Sequence, residues 1–414
     1  MKMIKKISIG VFILTMSANV FAQNKLDIPS AKYNQIIDET IISQGNNYRL
    51  KKVLNKVRKG QEVHIAAIGG SVTEGAGPAK FTDGYAYQFF REFKAKYAPG
   101  NGDNLYFNNA ALSGSSSLTA AVRYEKDVID VIGRAPDMLI VEFAVNDGGE
   151  PLFQRSFEAI VRKALLDNPE TAVIAVYAAA TYGNTSGPKK QVADYYNLPQ
   201  INMLEVVNAG IKDNTFTKEQ FYSDYVHPTI QGHKLMVDSL MTLIANADKA
   251  KADSSMEIPA KSFIEPSLCG MKMVDWNNGD NPDYKVYAGG FNSIDKSTQT
   301  IKKTNSAEFA KNWHHPMNAK PDTTPFKMEI NCKNLVMVWK NNAGGSYEKF
   351  GHAEVWIDGK RVAIYDGQKQ GGWNNCEPNI IIDEETSKLH TVEVKLIEKD
   401  AKLGFTILAF GYSK

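Results

Sequence analysis

The sequence predicts an α/β domain with three layers around a parallel sheet, followed by an antiparallel β-sandwich. Between residues 60 and 252, short continuous apolar runs alternate with longer stretches of helical spacing. This is the pattern of strands buried on both faces and joined by crossover helices. From residue 253 to 414, short segments of alternating polarity are separated by turn sequences, and no long helical stretch intervenes.

In the first domain, five apolar runs predict strands and four amphipathic stretches predict helices. The strands are expected at Val63–Ile68, Leu105–Ala111, Met138–Val145, Ala172–Ala179 and the less apolar Ile201–Val206. The helices are expected at Tyr85–Tyr97, Thr119–Ile132, Phe153–Asn168 and Ile230–Ala247. A mostly helical segment, residues 23–59, precedes them.

In the second domain, six segments predict strands. They are Phe326–Asn331, Leu335–Lys340, Ala353–Ile357, Arg361–Asp366, His390–Ile397 and Phe405–Tyr412. The dipeptide Asp358-Gly359 between the third and fourth segments favours a tight hairpin.

The first 22 residues have the pattern of a secretory signal peptide. Three lysines precede an apolar run from Ile7 to Met16, and small residues end at Ala22, after which cleavage is expected. The run is too short to span a bilayer, so we expect a periplasmic or secreted protein without membrane insertion. Cleavage removes three of 48 basic and none of 46 acidic residues. The remaining net charge of −1 gives no electrostatic reason to expect nucleic acid as a partner.

All three cysteines and all five tryptophans lie in the second domain. Export permits one disulfide among Cys269, Cys332 and Cys376, but three buried thiols are an equal alternative, and their spacing fits no metal site. Trp276, Trp313 and Trp373 lie in loop-like contexts, mostly beside Gly and Asn. A flat indole flanked by amides suits stacking on a sugar ring, and a plain structural role is the alternative for each of these side chains.

The residues that could carry chemistry follow successive predicted strands. Gly69-Gly70-Ser71 follows the first strand, Ser113-Gly114-Ser115 the second and Val145-Asn146-Asp147 the third, while Asp224-Tyr225-Val226-His227 lies near the domain's end. Carboxyl ends of parallel strands share one edge of a sheet, where open α/β folds hold their sites. Taken alone, Ser71 could be a helix N-cap, and the block lacks the Lys-Ser/Thr ending of a phosphate-binding loop.

These four blocks resemble those of the SGNH, or GDSL-type, serine hydrolases across roughly residues 60–250. The resemblance implies a flavodoxin-like domain in which Ser71 is the nucleophile, His227 the general base and Asp224 its orienting carboxylate. It also implies an oxyanion site formed by the N–H groups of Ser71 and Gly114 and the Asn146 amide. The family's Gly-Asp-Ser-Leu reads Gly-Gly-Ser-Val here. That form, with the appended sandwich, is similar to bacterial carbohydrate acetylesterases.

The resemblance and the export signal together predict a secreted esterase that removes O-acetyl groups from plant cell-wall polysaccharide of the mannan or xylan type. No cofactor or metal is expected. Alternatives within the esterases are a lysophospholipase, a thioesterase or a peptidoglycan O-acetylesterase. The loops at 77–84 and 182–188 are rich in Gly, Thr and Ser, which suits a small acyl group better than a long one. A non-catalytic glycan-binding protein is the alternative from another class.

Overall fold

The computed structural model describes residues 25–276 and 281–414. The predicted signal peptide, residues 1–22, lies outside the described residues, as do residues 277–280 beside Trp276. Among the described residues, no helix is long and apolar enough to cross a membrane.

The first domain is built on a six-stranded sheet with the strand order β1-β6-β5-β4-β2-β3. The strands are β1 (Ile41–Ser43), β2 (Val63–Gly69), β3 (Leu105–Asn109), β4 (Met138–Glu142), β5 (Ala172–Tyr177) and β6 (Gln200–Asn202). Strands β2 to β6 are parallel, and β1 pairs antiparallel with β6 at the edge. β1 comes from the segment predicted as mostly helical, so that segment also supplies an edge strand.

Helices cover both faces of this sheet. They are α1 (Ser30–Thr40), α2 (Tyr48–Arg58), α3 (Ser71–Glu74), α4 (Tyr85–Tyr97), α5 (Ser117–Tyr124), α6 (Asp130–Ile132), α7 (Pro151–Asp167), α8 (Ser186–Tyr195), α9 (Leu204–Lys212), α10 (Lys218–Phe221) and α11 (Ile230–Lys249). Helices α1, α2, α4, α9 and α11 pack into one hydrophobic cluster, while α5, α7 and α8 pack into a second cluster on the other face. This is the predicted three-layer α/β/α arrangement.

The second domain is antiparallel and folds as a β-sandwich. Its strands are β7 (Lys272–Val274), β8 (Tyr284–Tyr287), β9 (Thr300–Ile301), β10 (Ser306–Ala307), β11 (Trp313–His315), β12 (Phe326–Asn341), β13 (His352–Ile357), β14 (Lys360–Asp366), β15 (Asn375–Leu396) and β16 (Phe405–Ser413). The central order is β11-β16-β12-β15-β13-β14, with β7 paired to β16 and β8 to β12. The fold class predicted from sequence is therefore confirmed for both domains.

Several predicted elements differ from the structure. The run Ile201–Val206 contains only the short β6, and its second half begins helix α9. The segments predicted as two strands at 326–331 and 335–340 are one strand, β12, which continues through two irregularities in its pairing with β15. Such bulges bend a strand without ending it, so the polar residues between the two segments are not a turn.

The hairpin at Asp358-Gly359 is confirmed. Both residues have positive φ angles, of 51° and 78°, and Ile357 pairs directly with Lys360. Positive φ at both central positions gives a turn whose twist matches that of the strands. All three cysteines are free thiols, and Cys332 and Cys376 are buried, whereas Cys269 is only half-buried. The alternative of three buried thiols therefore holds for two of the three.

The two domains share a hydrophobic core. The cluster beneath α5 and α7 also contains Val336, Val338 and Leu408 from the sandwich. A separate cluster fills the interior of the sandwich. The boundary predicted at residue 252 follows the end of α11 and stays a prediction, since the packing of apolar side chains continues across it.

Candidate active site

Ser71 lies at the carboxyl end of strand β2, which pairs with β4 and β3, where the chain turns into the one-turn helix α3. Its side chain is buried, and Gly75 ends the helix with a φ of +111°. The Asn146 side chain packs against Gly70, so that a Cβ atom at position 70 would lie only 1.9 Å from Asn146 Oδ1. In this chain, a side chain at position 70 would therefore displace Asn146.

His227 and Asp224 are held together by one short loop. Asp224 Oδ1 accepts hydrogen bonds from the N–H groups of Val226 and His227, at 2.7 and 2.8 Å. Asp224 Oδ2 lies 2.7 Å from His227 Nδ1. At the loop's base, Ser223 donates both its N–H and its hydroxyl to the His227 carbonyl. The carboxylate therefore fixes both the backbone and the ring of His227.

The His227 ring connects this loop to Ser71. Its Nε2 lies 2.8 Å from Ser71 Oγ, on the side opposite to Asp224. Partial burial raises the pKa of the Asp224 carboxyl, but the hydrogen bonds from the His227 ring and the two N–H groups outweigh it, so the pKa lies below its ordinary value. An ionised Asp224 accepts the Nδ1 proton, which leaves Nε2 free to take a proton from the serine.

The segment from Ala111 to Ser115 forms the next side of the site, and we call it the Gly114 loop. Gly114 is exposed and has a φ of +67°, a conformation that favours glycine. The Ser113 N–H donates to Glu74 Oε2 at 2.9 Å, and the Ser115 N–H donates to the Leu112 carbonyl at 3.2 Å. Among the described residues, the Gly114 N–H has no acceptor, so it is available to an incoming group.

Asn146 follows β4 and lies on the third side. Its Oδ1 is buried without a hydrogen-bond partner among the described residues. The next residue, Asp147, is buried and forms an ion pair of 3.2 Å with the fully buried Lys189. Asp147 Oδ1 also accepts the Ser117 N–H at the start of α5. Asp147 therefore connects the Asn146 turn to α5 and α8. The sequence did not predict this role for Asp147.

Glu142, the last residue of β4, lies beneath this turn. Its Oε1 accepts the Ala144 N–H at 2.9 Å, and its Oε2 lies 3.4 Å from Thr73 Oγ1. Complete burial raises the pKa of Glu142 to about 7, against the lowering effect of its backbone hydrogen bonds. The carboxyl connects the turn before Asn146 to the helix that begins at Ser71.

Aromatic side chains flank the site on two sides. The Trp373 ring covers Gly114, since a Cβ atom at position 114 would lie 2.5 Å from Trp373 Cζ2. Trp373 is nevertheless 48% exposed. Beside the Asn146 turn, the exposed rings of Tyr182 and Tyr225 contact each other with centroids 6.3 Å apart. Tyr182 donates its hydroxyl to the Val145 carbonyl, which joins this pair to the Asn146 turn.

The other two tryptophans that were candidates for sugar contact lie elsewhere. Trp313 is only 3% exposed and packs between Phe326 and Phe410, so its assignment as a sugar contact is wrong. Its position inside β11 buries the ring in the sandwich core. Trp276 is half-buried and packs against the same core.

Several residues around the site carry no recognisable sequence signal. Glu74 lies in the serine block, but Gln299, Lys302 and Lys303 come from the other domain and form contacts that no local pattern predicts. His233 of α11 is fully buried, and its ring is hydrogen-bonded to the Ala76 carbonyl. In the described part of the chain, no group of three or more His, Cys, Asp or Glu could hold a metal ion.

Comparisons with known proteins give one family match and several similar structures. Residues 67–235 match the model of the GDSL-like Lipase/Acylhydrolase family. Two solved structures of a two-domain esterase (CEX) active on acetylated mannans, one co-crystallized with mannopentaose, are similar to this chain with a TM-score of 0.74 and 22% identity. They cover 91% of this chain and 99% and 98% of their own. At this identity the likeness shows the fold. No curated protein sequence matches the chain.

Proposed function

We propose that the chain removes O-acetyl groups from plant cell-wall polysaccharides or their oligosaccharides, of the mannan or xylan type. The premise is that residues 67–235 belong to the GDSL-like lipase/acylhydrolase family, so the chain is a carboxylic ester hydrolase. The reaction passes through an acetyl ester on Ser71. The observation that carries this proposal is the pair of hydrogen bonds that joins Ser71 Oγ through the His227 ring to Asp224.

In the first half of the reaction, Ser71 Oγ attacks the acetyl carbonyl while His227 Nε2 takes its proton. The tetrahedral intermediate then collapses, and the protonated His227 gives the proton to the departing sugar hydroxyl. In the second half, water attacks the acetyl-Ser71 ester with His227 again as the base, which releases acetate. General acid–base catalysis of this kind contributes roughly 10²- to 10⁴-fold.

The negative charge on the carbonyl oxygen is stabilised in both halves by three donors. They are the N–H groups of Ser71 and Gly114 and the Asn146 side-chain amide. The free Gly114 N–H and the packing of Asn146 against Gly70 support these roles. Each donor of this kind contributes about 2.7–4 kcal/mol to the stability of the transition state.

The aromatic rings around the site favour an acetylated sugar as the substrate. Trp373 beside Gly114 and the Tyr182–Tyr225 pair beside the Asn146 turn offer flat apolar surfaces at two places around the site. A pyranose ring presents C–H groups to such surfaces, whereas a long acyl chain needs a closed apolar pocket. The resemblance in fold to an esterase active on acetylated mannans points to the same class of substrate.

Such a substrate lies outside the cell membrane. The signal peptide predicted from residues 1–22 would deliver the enzyme to the periplasm or the medium, with cleavage after Ala22. Amino-terminal sequencing of the mature protein tests this part of the proposal.

Acetate release tests the substrate class. The purified wild-type chain is incubated with acetylated mannan, xylan, pectin and peptidoglycan fragments, and mass spectrometry follows the loss of acetyl groups. We expect the highest kcat/KM on mannan or xylan. Preferred deacetylation of peptidoglycan would make the chain a peptidoglycan esterase instead. If the chain hydrolyses long-chain 4-nitrophenyl esters faster than 4-nitrophenyl acetate, it is a lipase. If it hydrolyses none of these esters, the remaining hypothesis is a non-catalytic glycan-binding protein.

A further inference from the structure

The Gly114 loop is contacted from the sandwich domain at its first residue, Ala111, and at its middle residue, Ser113. Gln299 Nε2 donates a hydrogen bond to the Ser113 carbonyl, and Lys303 Nζ donates to the Ala111 carbonyl at 2.6 Å. Gln299 is buried, so that its amide is shielded from water. Two side chains of the sandwich domain thus hold two carbonyl groups of a loop in the α/β domain.

The contact from Gln299 acts on the peptide group that presents the Gly114 N–H. The Ser113 carbonyl and the Gly114 N–H belong to one planar trans peptide unit, in which they point in opposite directions. A donor fixed on the carbonyl therefore fixes the direction of the N–H. Hydrogen bonds in a chain also polarise one another, which makes this N–H a stronger donor.

Glu74 ties the same loop to the serine. It is the buried last residue of α3, the helix that Ser71 begins, and its Oε2 accepts from both the N–H and the hydroxyl of Ser113. Its Oε1 accepts the Lys302 N–H at 2.8 Å. One carboxylate therefore connects the serine helix, the Gly114 loop and the segment that carries Gln299 and Lys303.

We infer that Gln299 of the sandwich domain is a positioning residue for catalysis, because it orients the Gly114 peptide so that its N–H meets the developing oxyanion. Lys303 holds the preceding turn of the loop in the same way. The sandwich domain then completes the oxyanion site of the α/β domain. This inference rests on the proposed function, since it requires Gly114 to serve the transition state.

The test uses the full-length chain with the Gln299→Met variant, which keeps the volume but removes the donor. The substrate is 4-nitrophenyl acetate. A misplaced oxyanion donor lowers kcat and leaves ground-state binding unchanged, so we expect kcat to fall about 10- to 100-fold while KM stays within about twofold. The inhibition constant of a boronic acid, whose tetrahedral adduct carries the oxyanion, should rise by a similar factor. Lys303→Met should change both quantities in the same direction, and Lys303→Arg, which keeps a donor, should restore part of kcat.

Arg155→Met is the matched control. Arg155 forms a bidentate ion pair with Asp383 across the same domain interface, with distances of 2.9 and 2.8 Å, but it does not contact the Gly114 loop. We expect kcat within about twofold of the wild type for this variant, and thermal unfolding measures the stability of all variants. If Gln299→Met and Lys303→Met lose no more kcat than Arg155→Met, the inference is wrong. Failure of the wild type itself to hydrolyse the ester would instead contradict the proposed function.

Discussion

At the scale of single residues, the candidate site is a hydrogen-bonded line of three side chains. Asp224 fixes the His227 loop through two backbone hydrogen bonds, and the ring then reaches Ser71 Oγ at 2.8 Å. Each of these side chains is hydrogen-bonded to its neighbour. This geometry is what proximity and orientation require of a catalytic group.

Substitution of Asn146 separates transition-state stabilisation from substrate binding. Since its Oδ1 has no partner among the described residues, Asn146→Ala removes no protein hydrogen bond from that oxygen. We expect kcat to fall roughly 10²- to 10³-fold with little change in KM, because the amide bonds mainly to the oxyanion. Steady-state kinetics on an acetate ester measures this.

Asn108→Ala is the control for this prediction, because the Asn108 amide serves the Asp127 carbonyl and not the site. An Asn146→Ala enzyme that changes KM alone would move Asn146 from the oxyanion site into substrate binding.

Sequence predicts the residues that lie within short blocks at strand ends, and it misses those that act across the chain. Ser71 and Asn146 follow the neighbouring strands β2 and β4, and Asp224 and His227 share one loop. Strand position and spacing group each pair, and the family resemblance joins the two pairs. Gln299 contacts Ser113 across 186 positions of sequence. Neither residue has a local pattern that indicates the other, because the contact exists only once the two domains pack.

At the scale of secondary structure elements, α11 supports the site through a buried histidine. His233 Nδ1 accepts the Tyr85 N–H at 3.1 Å, and Nε2 donates to the Ala76 carbonyl at 2.9 Å, on the chain that leaves α3. A neutral ring satisfies both bonds, and a protonated ring would lose the first. Helical periodicity alone did not reveal this, because one polar residue on a long helix is usually at its surface.

This histidine makes stability depend on pH. Burial lowers the pKa of His233 from 6.5 to about 4, so between these values the unfolded chain binds more protons than the folded chain. Acid therefore lowers the free energy of unfolding, by up to about 3 kcal/mol from this group. His233→Gln removes that contribution.

Urea unfolding of both proteins at several pH values between 7 and 4 measures the difference. We expect the wild type to lose more stability than His233→Gln over this range. The buried Glu142 titrates in both proteins, so its opposite effect cancels in the comparison. Parallel pH curves for the two proteins would show that His233 does not titrate in this way.

For the strands of the sandwich, too, the sequence pattern predicts some elements correctly and misses others. Alternating polarity located β13, β14 and β16 within about two residues, but it divided β12 into two strands and found only the last part of β15. A bulge shifts which face a side chain points to, so it interrupts the alternation while the backbone pairing continues.

At the scale of the whole molecule, the two domains share one hydrophobic cluster. Gly411 of β16 packs directly against Val122 of α5, and a Cβ atom there would lie 2.4 Å from Val122 Cγ2. We therefore expect both domains to unfold in one calorimetric transition. Gly411→Ala should lower its midpoint, since overpacking a tight contact costs about 1–3 kcal/mol.

Gly345→Ala is the matched control for this prediction, because a Cβ at position 345 meets nothing within 4 Å. Two separate transitions, of which Gly411→Ala moves only one, would show that the shared cluster does not couple the domains. The sequence could predict two domains from the change in pattern near residue 252. It could not predict the interface between them, because the apolar residues at the interface have the same sequence pattern as residues in the core of a single domain.

The central claim is that acetyl groups leave an acetylated polysaccharide through Ser71. Acetate release from acetylated mannan or xylan oligosaccharides by the wild type, by Ser71→Ala and by Ser254→Ala, which changes an exposed serine, tests it most directly. The account predicts release by the wild type and Ser254→Ala, and none above background by a folded Ser71→Ala. Retained release by Ser71→Ala, or no release by the wild type, would contradict it.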